Sequence, residues 1–393
     1  MKRLLLATTS LLLIAPVSAF ATGSTSFLAQ SGTQTADIDQ SQANFAQVGT
    51  ALTPFTQNNG AGAIGGNVIH IVQSNVGSNS ANNSVNGVQS GTTNLANVIQ
   101  AGNTGKVTLN QIGNNNGHVA GYTHTIEQKQ SSDHNEVAFS ENGNDNDFSI
   151  LQEGGTNNRV LAEQIGNFNK VNTSQNGSNL MISISQNGPS DLNQVSATQL
   201  GSEHSLTVTQ DNGGAHTANS NQSGINNSAT IVQHGSGQQA FSTQDVGGSG
   251  TLGNVATITQ NGQGNIATNK QSGTAGSSTF NQTGNSNVAT LTDQVGNSNV
   301  ALFDQTGTRN SVTLIQSGIG NNASSRQDGD YQVALLSQFG SSNTIIGVQL
   351  IGASSVALSN SAIVMQGTAG APSSGNIASY SQSGSGHSLV IKQ

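Results

Sequence analysis

The sequence contains no cysteine, no tryptophan and only 4 prolines, and it has few charged or aromatic residues. Without cysteine, no disulfide can stabilise the fold. Charged residues make up 7% of the 393 residues, aromatic residues 4% and hydrophobic residues 33%, so an ordinary compact apolar core is excluded. The few basic residues exclude an extended nucleic-acid surface. The remainder is rich in Gly, Asn, Gln, Ser and Thr, which is typical of chains that stay disordered or form cross-β structure.

The first 21 residues differ from the rest of the chain. Lys2 and Arg3 precede an apolar run over residues 4–17, and small residues at 19 and 21 suit a signal peptidase. This pattern predicts a secretory signal peptide over residues 1–21. The run is too short to span a membrane, and no later stretch is long and apolar enough to do so. Cleavage would take the net charge from -8 to about -10, because Lys2 and Arg3 are removed.

Glutamine recurs at a fixed interval of 11 residues along most of the chain. The longest uninterrupted series is Gln294, Gln305, Gln316, Gln327, Gln338 and Gln349. The unit is Asn-x-Ala-x-Val-x-Gln-x-Gly-x-x, in which Ala and Val vary among small and branched residues. Where an interval is longer, the extra residues fall between Gln and the next Asn. Such a period indicates a repeat architecture whose loops, not its strands, accept insertions.

Alternate residues of the unit share one face of a β-strand, so Asn, Ala, Val and Gln all point inward. Gly permits the chain to reverse after Gln. The sequence therefore predicts an all-β, two-sided β-solenoid with cross-β stacking, about 22 residues per rung and about 14 or 15 rungs. We expect it over residues 57–393, after an irregular segment over residues 22–56.

Identical inward residues on successive rungs would form ladders, because stacked amides can hydrogen-bond along the stack. The predicted ladder residues are Asn265, Ala267, Gln271, Asn287, Ala289, Gln294, Gly296, Asn299, Ala301, Phe303, Gln305, Gly307, Asn310, Val312, Leu314, Gln316 and Gly318. The last unit, with Leu389, Ile391 and Gln393, is predicted to be an open rung that templates further strands.

Other patterns give weaker hypotheses. Asp293, Asp304, Asp328 and Asp330 are candidate gatekeepers, since like charges repeated along a fibre would slow its assembly. The scattered histidines lack metal-site spacing, so no metal or cofactor is expected. Asp133-His134 could suggest a hydrolase that uses a serine nucleophile, but the sequence has no Gly-x-Ser-x-Gly nucleophile elbow. No catalytic residues or enzyme activity are therefore predicted. The GAGAIG run at residues 60–65 formally matches the Gly-x-Gly-x-x-Gly pattern. It lacks the surrounding βαβ unit of a dinucleotide-binding site and is therefore predicted to be a turn.

The repeat resembles that of the curlin family, the subunits of bacterial curli. Two copies match the Gln-x-Gly-x-x-Asn-x-Ala motif directly: Gln260-Asn-Gly262-Gln-Gly-Asn265-Ile-Ala267 and Gln282-Thr-Gly284-Asn-Ser-Asn287-Val-Ala289. The resemblance covers residues 57–393. It departs from the family in the greater length of the chain and in Asn where family repeats often have Ser.

The resemblance implies a secreted functional amyloid that self-assembles into extracellular curli-like fibres, a fimbrium or pilus used in cell adhesion and biofilm. It implies a Gram-negative cell surface, a nucleator curlin and an outer-membrane secretion channel as partners, and no small-molecule substrate. Two alternatives stay open. One is a monomeric solenoid adhesin or ice-binding protein, which would need a regular outward row such as Thr-x-Thr. The other is a disordered, prion-like matrix protein.

Overall fold

A computed structural model describes residues 4–6, 24–31, 34–42, 45–58, 66–74, 82–117, 124–129, 132–188, 192–246, 252–350 and 359–393. Within these ranges the regular structure is β-strand, and no helix is present. The described residues accordingly contain no helix of the length and hydropathy needed to cross a membrane. The chain divides into two compact units, Met1–Glu203 and His204–Gln393.

The first unit has two main sheets. One contains β1 (Leu4–Leu6), β4 (Thr35–Gln42), β7 (Val68–Ser74), β9 (Leu95–Gln100), β11 (Thr125–Gln128), β14 (Asp147–Glu153), β17 (Lys170–Ser178) and β19 (Gln194–Ser202). The other contains β2 (Thr25–Ser26), β3 (Leu28–Ser31), β5 (Gln47–Val48), β6 (Phe55–Asn58), β8 (Ser84–Thr92), β10 (Lys106–Asn114), β13 (Glu136–Asn142), β16 (Arg159–Ile165) and β18 (Met181–Asn187). A small parallel pair is formed by β12 (Ser132–Asp133) and β15 (Gly155–Thr156).

The second unit repeats this arrangement. One sheet contains β21 (Thr217–Ile225), β23 (Gln239–Asp245), β25 (Ile266–Thr274), β27 (Val288–Asn297), β29 (Ser311–Ile319), β31 (Val333–Ser341), β33 (Ser361–Gln366), β34 (Ser373–Ser374) and β36 (Ser388–Lys392). The other contains β20 (Ser205–Asp211), β22 (Ser228–Ser236), β24 (Val255–Gln263), β26 (Ser277–Asn285), β28 (Val300–Thr308), β30 (Asn322–Asp328), β32 (Thr344–Leu350) and β35 (Ile377–Ser383).

From β16 to β19 and from β20 to β33, successive strands alternate between the two sheets, and the strands of each sheet pair in parallel from one coil to the next. In one sheet of the second unit, β26, β28 and β30 align Gln282, Gln305 and Gln327 in the same register. One coil is therefore two strands and two turns. The predicted two-sided β-solenoid is confirmed, with about 14 turns over the two units.

Burial alternates along the strands, as expected for a sheet with one inward face. In β28, for example, Ala301, Phe303 and Gln305 are buried, whereas Val300 and Leu302 are exposed. The interior of each coil is thin, because only a few residues per strand point inward. Phenylalanines fill some of these inner positions, and Phe280 and Phe303 pack edge to face with ring centroids 4.9 Å apart.

Strand pairing begins before the regular sequence pattern does. In the segment predicted to be irregular, β3 pairs with β6, and Gln30 donates to Gln57 over 2.7 Å. Of the predicted signal peptide, only Leu4–Leu6 lies within the described residues, where it pairs antiparallel with β4. The GAGAIG run lies outside the described residues.

Candidate functional site

The inward Gln side chains form continuous hydrogen-bonded columns within the second unit. Each Nε2 donates to Oε1 of the equivalent Gln one coil further along, over 2.8–3.1 Å in one sheet and 2.8–2.9 Å in the other. Among the predicted residues, Gln271, Gln294 and Gln316 share one column, and Gln305 belongs to the column of the opposite sheet. Amides that would be costly to bury singly are thus satisfied by their neighbours.

The same Nε2 groups also join the two sheets. The Nε2 of Gln316 donates to Val300 O on the opposite sheet over 2.8 Å as well as to Gln338 over 2.8 Å. The Nε2 of Gln305 likewise donates to Val288 O over 2.9 Å. Each Gln therefore bonds along the stack and across the coil, which closes the interior at the end of every strand.

The Asn side chains follow a different pattern, because they bond to backbone groups. Oδ1 of Asn287 accepts the backbone N–H of Asn310 over 3.0 Å, and its Nδ2 donates to the carbonyls of Thr283 and Gly307. Asn265 and Asn299 make equivalent contacts in their own coils. Asn therefore holds the turn of one coil against the strand entry of the next.

The remaining predicted ladder residues lie at the inner positions and in the turns. Ala267, Ala289, Ala301, Phe303, Val312 and Leu314 are at most 1% exposed. Gly296, Gly307 and Gly318 have φ between 106° and 126°. A Cβ on Gly307 would lie 2.1 Å from the carbonyl oxygen of Gly329 in the next coil, so only glycine permits this backbone approach.

The candidate gatekeepers occupy outward or turn positions and most of them have contacts. Asp293 lies 3.5 Å from the Lys270 ammonium, next to a β-bulge in β27. Asp328 lies 3.5 Å from Arg326, and Asp304 is aligned with Arg326 on the adjacent strand. Asp330 has a structural role, because its Oδ1 accepts the Thr308 N–H over 2.7 Å. Their charge is therefore partly balanced within the fold.

In the coil formed by β35 and β36, the inward side chains of β36 are partly exposed, whereas those of β35 are buried. Leu389 and Ile391 are half-buried, whereas the residues aligned with them on β33, Ala362 and Val364, are fully buried. Gln393 continues the column, accepting from Gln366 over 2.9 Å and donating to Ile377 O over 3.1 Å. Gln393 thus continues the Gln column that runs through the preceding coils of the second unit.

A row of outward threonines runs across four strands of the second unit. Thr207, Thr230, Thr257 and Thr279 are aligned in successive pairs of strands, and Leu302 takes the next position. The row is the type of feature expected for a surface-binding solenoid. Its interruption at Leu302 limits it to four coils.

Three fully buried ionisable side chains in the first unit were not among the predicted residues. Glu141 occupies the Gln position of β13, and its signal was present in the sequence, because Glu141-Asn-Gly143-Asn-Asp-Asn146 is the repeat with Glu for Gln. Nε2 of His124 lies 2.6 Å from Oδ1 of Asp147. No sequence pattern pointed to this pair, because His124 and Asp147 fall at different positions of their 11-residue repeats.

Burial changes the acid–base behaviour of several inward groups. It raises the pKa of Glu141 to about 8, with a further increase from the Asp147 charge, while the hydrogen bond from Gln111 opposes the shift. It also lowers the pKa of His216, which replaces Asn at a turn, and raises the pKa of Tyr380 to about 12. Within the described residues, no three His, Asp or Glu side chains form a group that could hold a metal ion.

The family model of the curlin associated repeat matches residues 290–318. The matched segment contains Gln294, Gln305 and Gln316 and thus samples both Gln columns. The predicted resemblance to the curlin repeat is confirmed by this match. The family of this repeat is structural rather than enzymatic. No curated protein matches the chain.

Proposed function

We propose that this protein is a secreted structural subunit that self-assembles into extracellular curli-like amyloid fibres for surface adhesion and biofilm matrix. The observation that carries the proposal is the equivalence of the coils. Successive coils of the second unit offer column Gln side chains and backbone groups in the register that the neighbouring coil needs, so a coil of a second copy can stack on an exposed one. Self-complementarity of this kind favours a polymer over a closed complex.

The β35–β36 coil is the surface that we assign to this contact. A second copy would bury Leu389 and Ile391 and extend the column that reaches Gln393. A nucleator curlin that offers such a coil, and an outer-membrane channel that exports the chain after removal of the signal peptide, are the partners that the family resemblance supports. Localisation at the surface of a Gram-negative cell belongs to the same proposal.

Assembly of the chain from residue 22 onward tests the proposal. The protein is diluted from denaturant with and without preformed seeds, and circular dichroism and electron microscopy follow the product. We expect a lag that seeds abolish and fibres at the end. Immediate folding to a soluble monomer at a rate independent of concentration would instead support the surface-binding alternative, for which the four-threonine row is the candidate face.

The proposed gatekeeping role is tested on the outward aspartates. We expect D304N to shorten the lag, because it removes an outward negative charge and leaves the inward column unchanged. D330N should also shorten the lag, since it removes a negative charge while Asn keeps the Oδ1 acceptor for Thr308. Unchanged lag times in D304N, D293N and D328N would rule out gatekeeping by these residues.

A further inference from the structure

The inner Gln column of the first unit is interrupted by one carboxyl group. In the second sheet of that unit, Gln57 donates to Gln89 over 2.7 Å, and Gln89 to Gln111 over 2.6 Å. Nε2 of Gln111 then donates to Oε2 of Glu141 over 3.0 Å. The column resumes beyond Glu141, where Gln164 donates to Gln186 over 3.0 Å.

The step from Glu141 to Gln164 lacks a donor. The two residues are aligned on β13 and β16, where the column would place a hydrogen bond. Oε1 of Glu141 and Oε1 of Gln164 are both buried, and neither has a hydrogen-bond partner. Two acceptor oxygens cannot bond to each other, and each buried acceptor without a donor is unfavourable.

We propose that Glu141 is a neutral carboxylic acid in the folded protein, whose hydroxyl donates to Oε1 of Gln164 and makes the proton a structural part of the column. With the proton present, the carboxyl group reproduces the amide it replaces: one oxygen accepts from Gln111 and the other donates onward. All inward groups of this step are then satisfied.

The surroundings of Glu141 favour the neutral form. Within the part of the chain that the structure describes, no cation lies within ion-pair distance of Glu141. The charged group that acts on it from the opposite sheet is Asp147 on β14, which adds negative potential and lies beside His124. The other ionisable groups on β10, β11, β13 and β16 occupy outward positions, on the far face of their sheets: Lys106, Glu127, Glu136, Arg159 and Glu163.

The proton links the stability of the first unit to pH. The pKa of Glu141 rises from 4.5 in the ordinary state to about 8 in the fold, so the folded chain binds one proton more than the unfolded chain between these values. Stability from this group is complete below pH 4.5, declines as pH rises, and is lost above about pH 8. The equilibrium constant for folding should fall by about tenfold per pH unit within this window.

Infrared spectroscopy of the folded full-length mature chain tests the assignment directly. The variants are E141Q, which completes the column with an amide, and E163Q, which removes the same charge from an exposed outward position on β16. At neutral pH, the wild type and E163Q should show the carbonyl stretch of a protonated carboxyl group, and E141Q should lack it. On raising pH, this band should be replaced by a carboxylate band with a midpoint near 8.

Denaturant unfolding between pH 4.5 and about 8 provides the second readout. The wild type and E163Q should lose stability with rising pH relative to E141Q. A carboxylate band from Glu141 at neutral pH, or the same pH slope in wild type and E141Q, would overturn the proposal. If E141Q does not fold, the wild-type infrared titration still tests the proposal, because absence of any protonated-carboxyl band at neutral pH would overturn it. It can be recorded on a monomer or on a fibre, so its outcome is separate from that of the assembly test.

Discussion

Replacing Gln316 with methionine should destabilise the second unit while keeping the side-chain volume nearly constant. Gln316 is fully buried; its Oε1 accepts from Gln294 over 2.8 Å, and its Nε2 donates to Gln338 and to Val300 O. Methionine offers none of these bonds. The Oε1 of Gln338 then loses its donor from Gln316, the carbonyl of Val300 loses one donor, and the Nε2 of Gln294 keeps only a 3.4 Å bond to Ser277 O.

The magnitude follows from the number of groups left unsatisfied. Two column hydrogen bonds are broken, and a buried polar group without its partner costs about 1–3 kcal/mol, so the expected loss is about 2–6 kcal/mol. The neighbouring outward substitution I315M is the matched control, because Ile315 lies on the same strand and faces away from the column. It should change stability by less than about 0.5 kcal/mol.

Hydrogen exchange combined with urea unfolding is the suitable assay, because a solenoid can open locally. Amides of β27, β29 and β31 should lose protection in Q316M, and those of distant coils in the same unit should lose less. A Q316M protein as stable and as protected as I315M would refute the reasoning. It would mean that the Gln columns satisfy buried groups without contributing net stability.

Three other features of the fold are tested by substitution. G307A should lower the free energy of unfolding in urea by more than about 2 kcal/mol, because its Cβ meets a backbone carbonyl at 2.1 Å. G320A, at φ 65° and with an ordinary 3.9 Å contact to Ser342 Oγ, should lower it by only about 1–2 kcal/mol. G347A should lower the melting temperature, since its Cβ would lie 2.3 Å from the Tyr380 ring, and Y380A should relieve this clash in the double variant. Because burial lowers the pKa of His216 from 6.5, the unfolded chain takes up the proton more readily, and stability should fall as pH drops below 6.5. H216N should remove this acid sensitivity in urea midpoints, and an unchanged pH profile would contradict it.

Much of the fold could be predicted because the repeat encodes it one coil at a time. The 11-residue spacing assigns each residue of a unit to the inner or outer face, and the predicted inner residues Ala301, Phe303 and Gln305 are all buried. Two strands per coil and parallel stacking follow from the same spacing. The repeat that contains Glu141 was not among the predicted ones, although the sequence shows it, because it differs from the pattern only by Glu in place of Gln.

The turn conformation was less accessible from sequence. We expected glycine to provide the reversal, and Gly307 does adopt positive φ. The strand nevertheless continues through it to Thr308, and the left-handed residue is Arg309, with φ 57°, directly before Asn310. Ser286 and Ser298 play the same part in other coils. The Asn that follows holds backbone groups of the next coil in place, which stabilises a conformation that these residues rarely adopt.

The sequence by itself determined the strand faces, the two-sheet coil and the amide positions, because these depend on local spacing and on one repeated contact. Only the tertiary structure decided which partners each inward group meets where the repeat varies. It places Tyr380 over Gly347, His124 against Asp147, and the carboxyl of Glu141 beneath Gln164. The physical reason is that the 11-residue repeat specifies only the typical residue at the equivalent position of the next coil. Burial and hydrogen bonding depend on the particular residue that lies there.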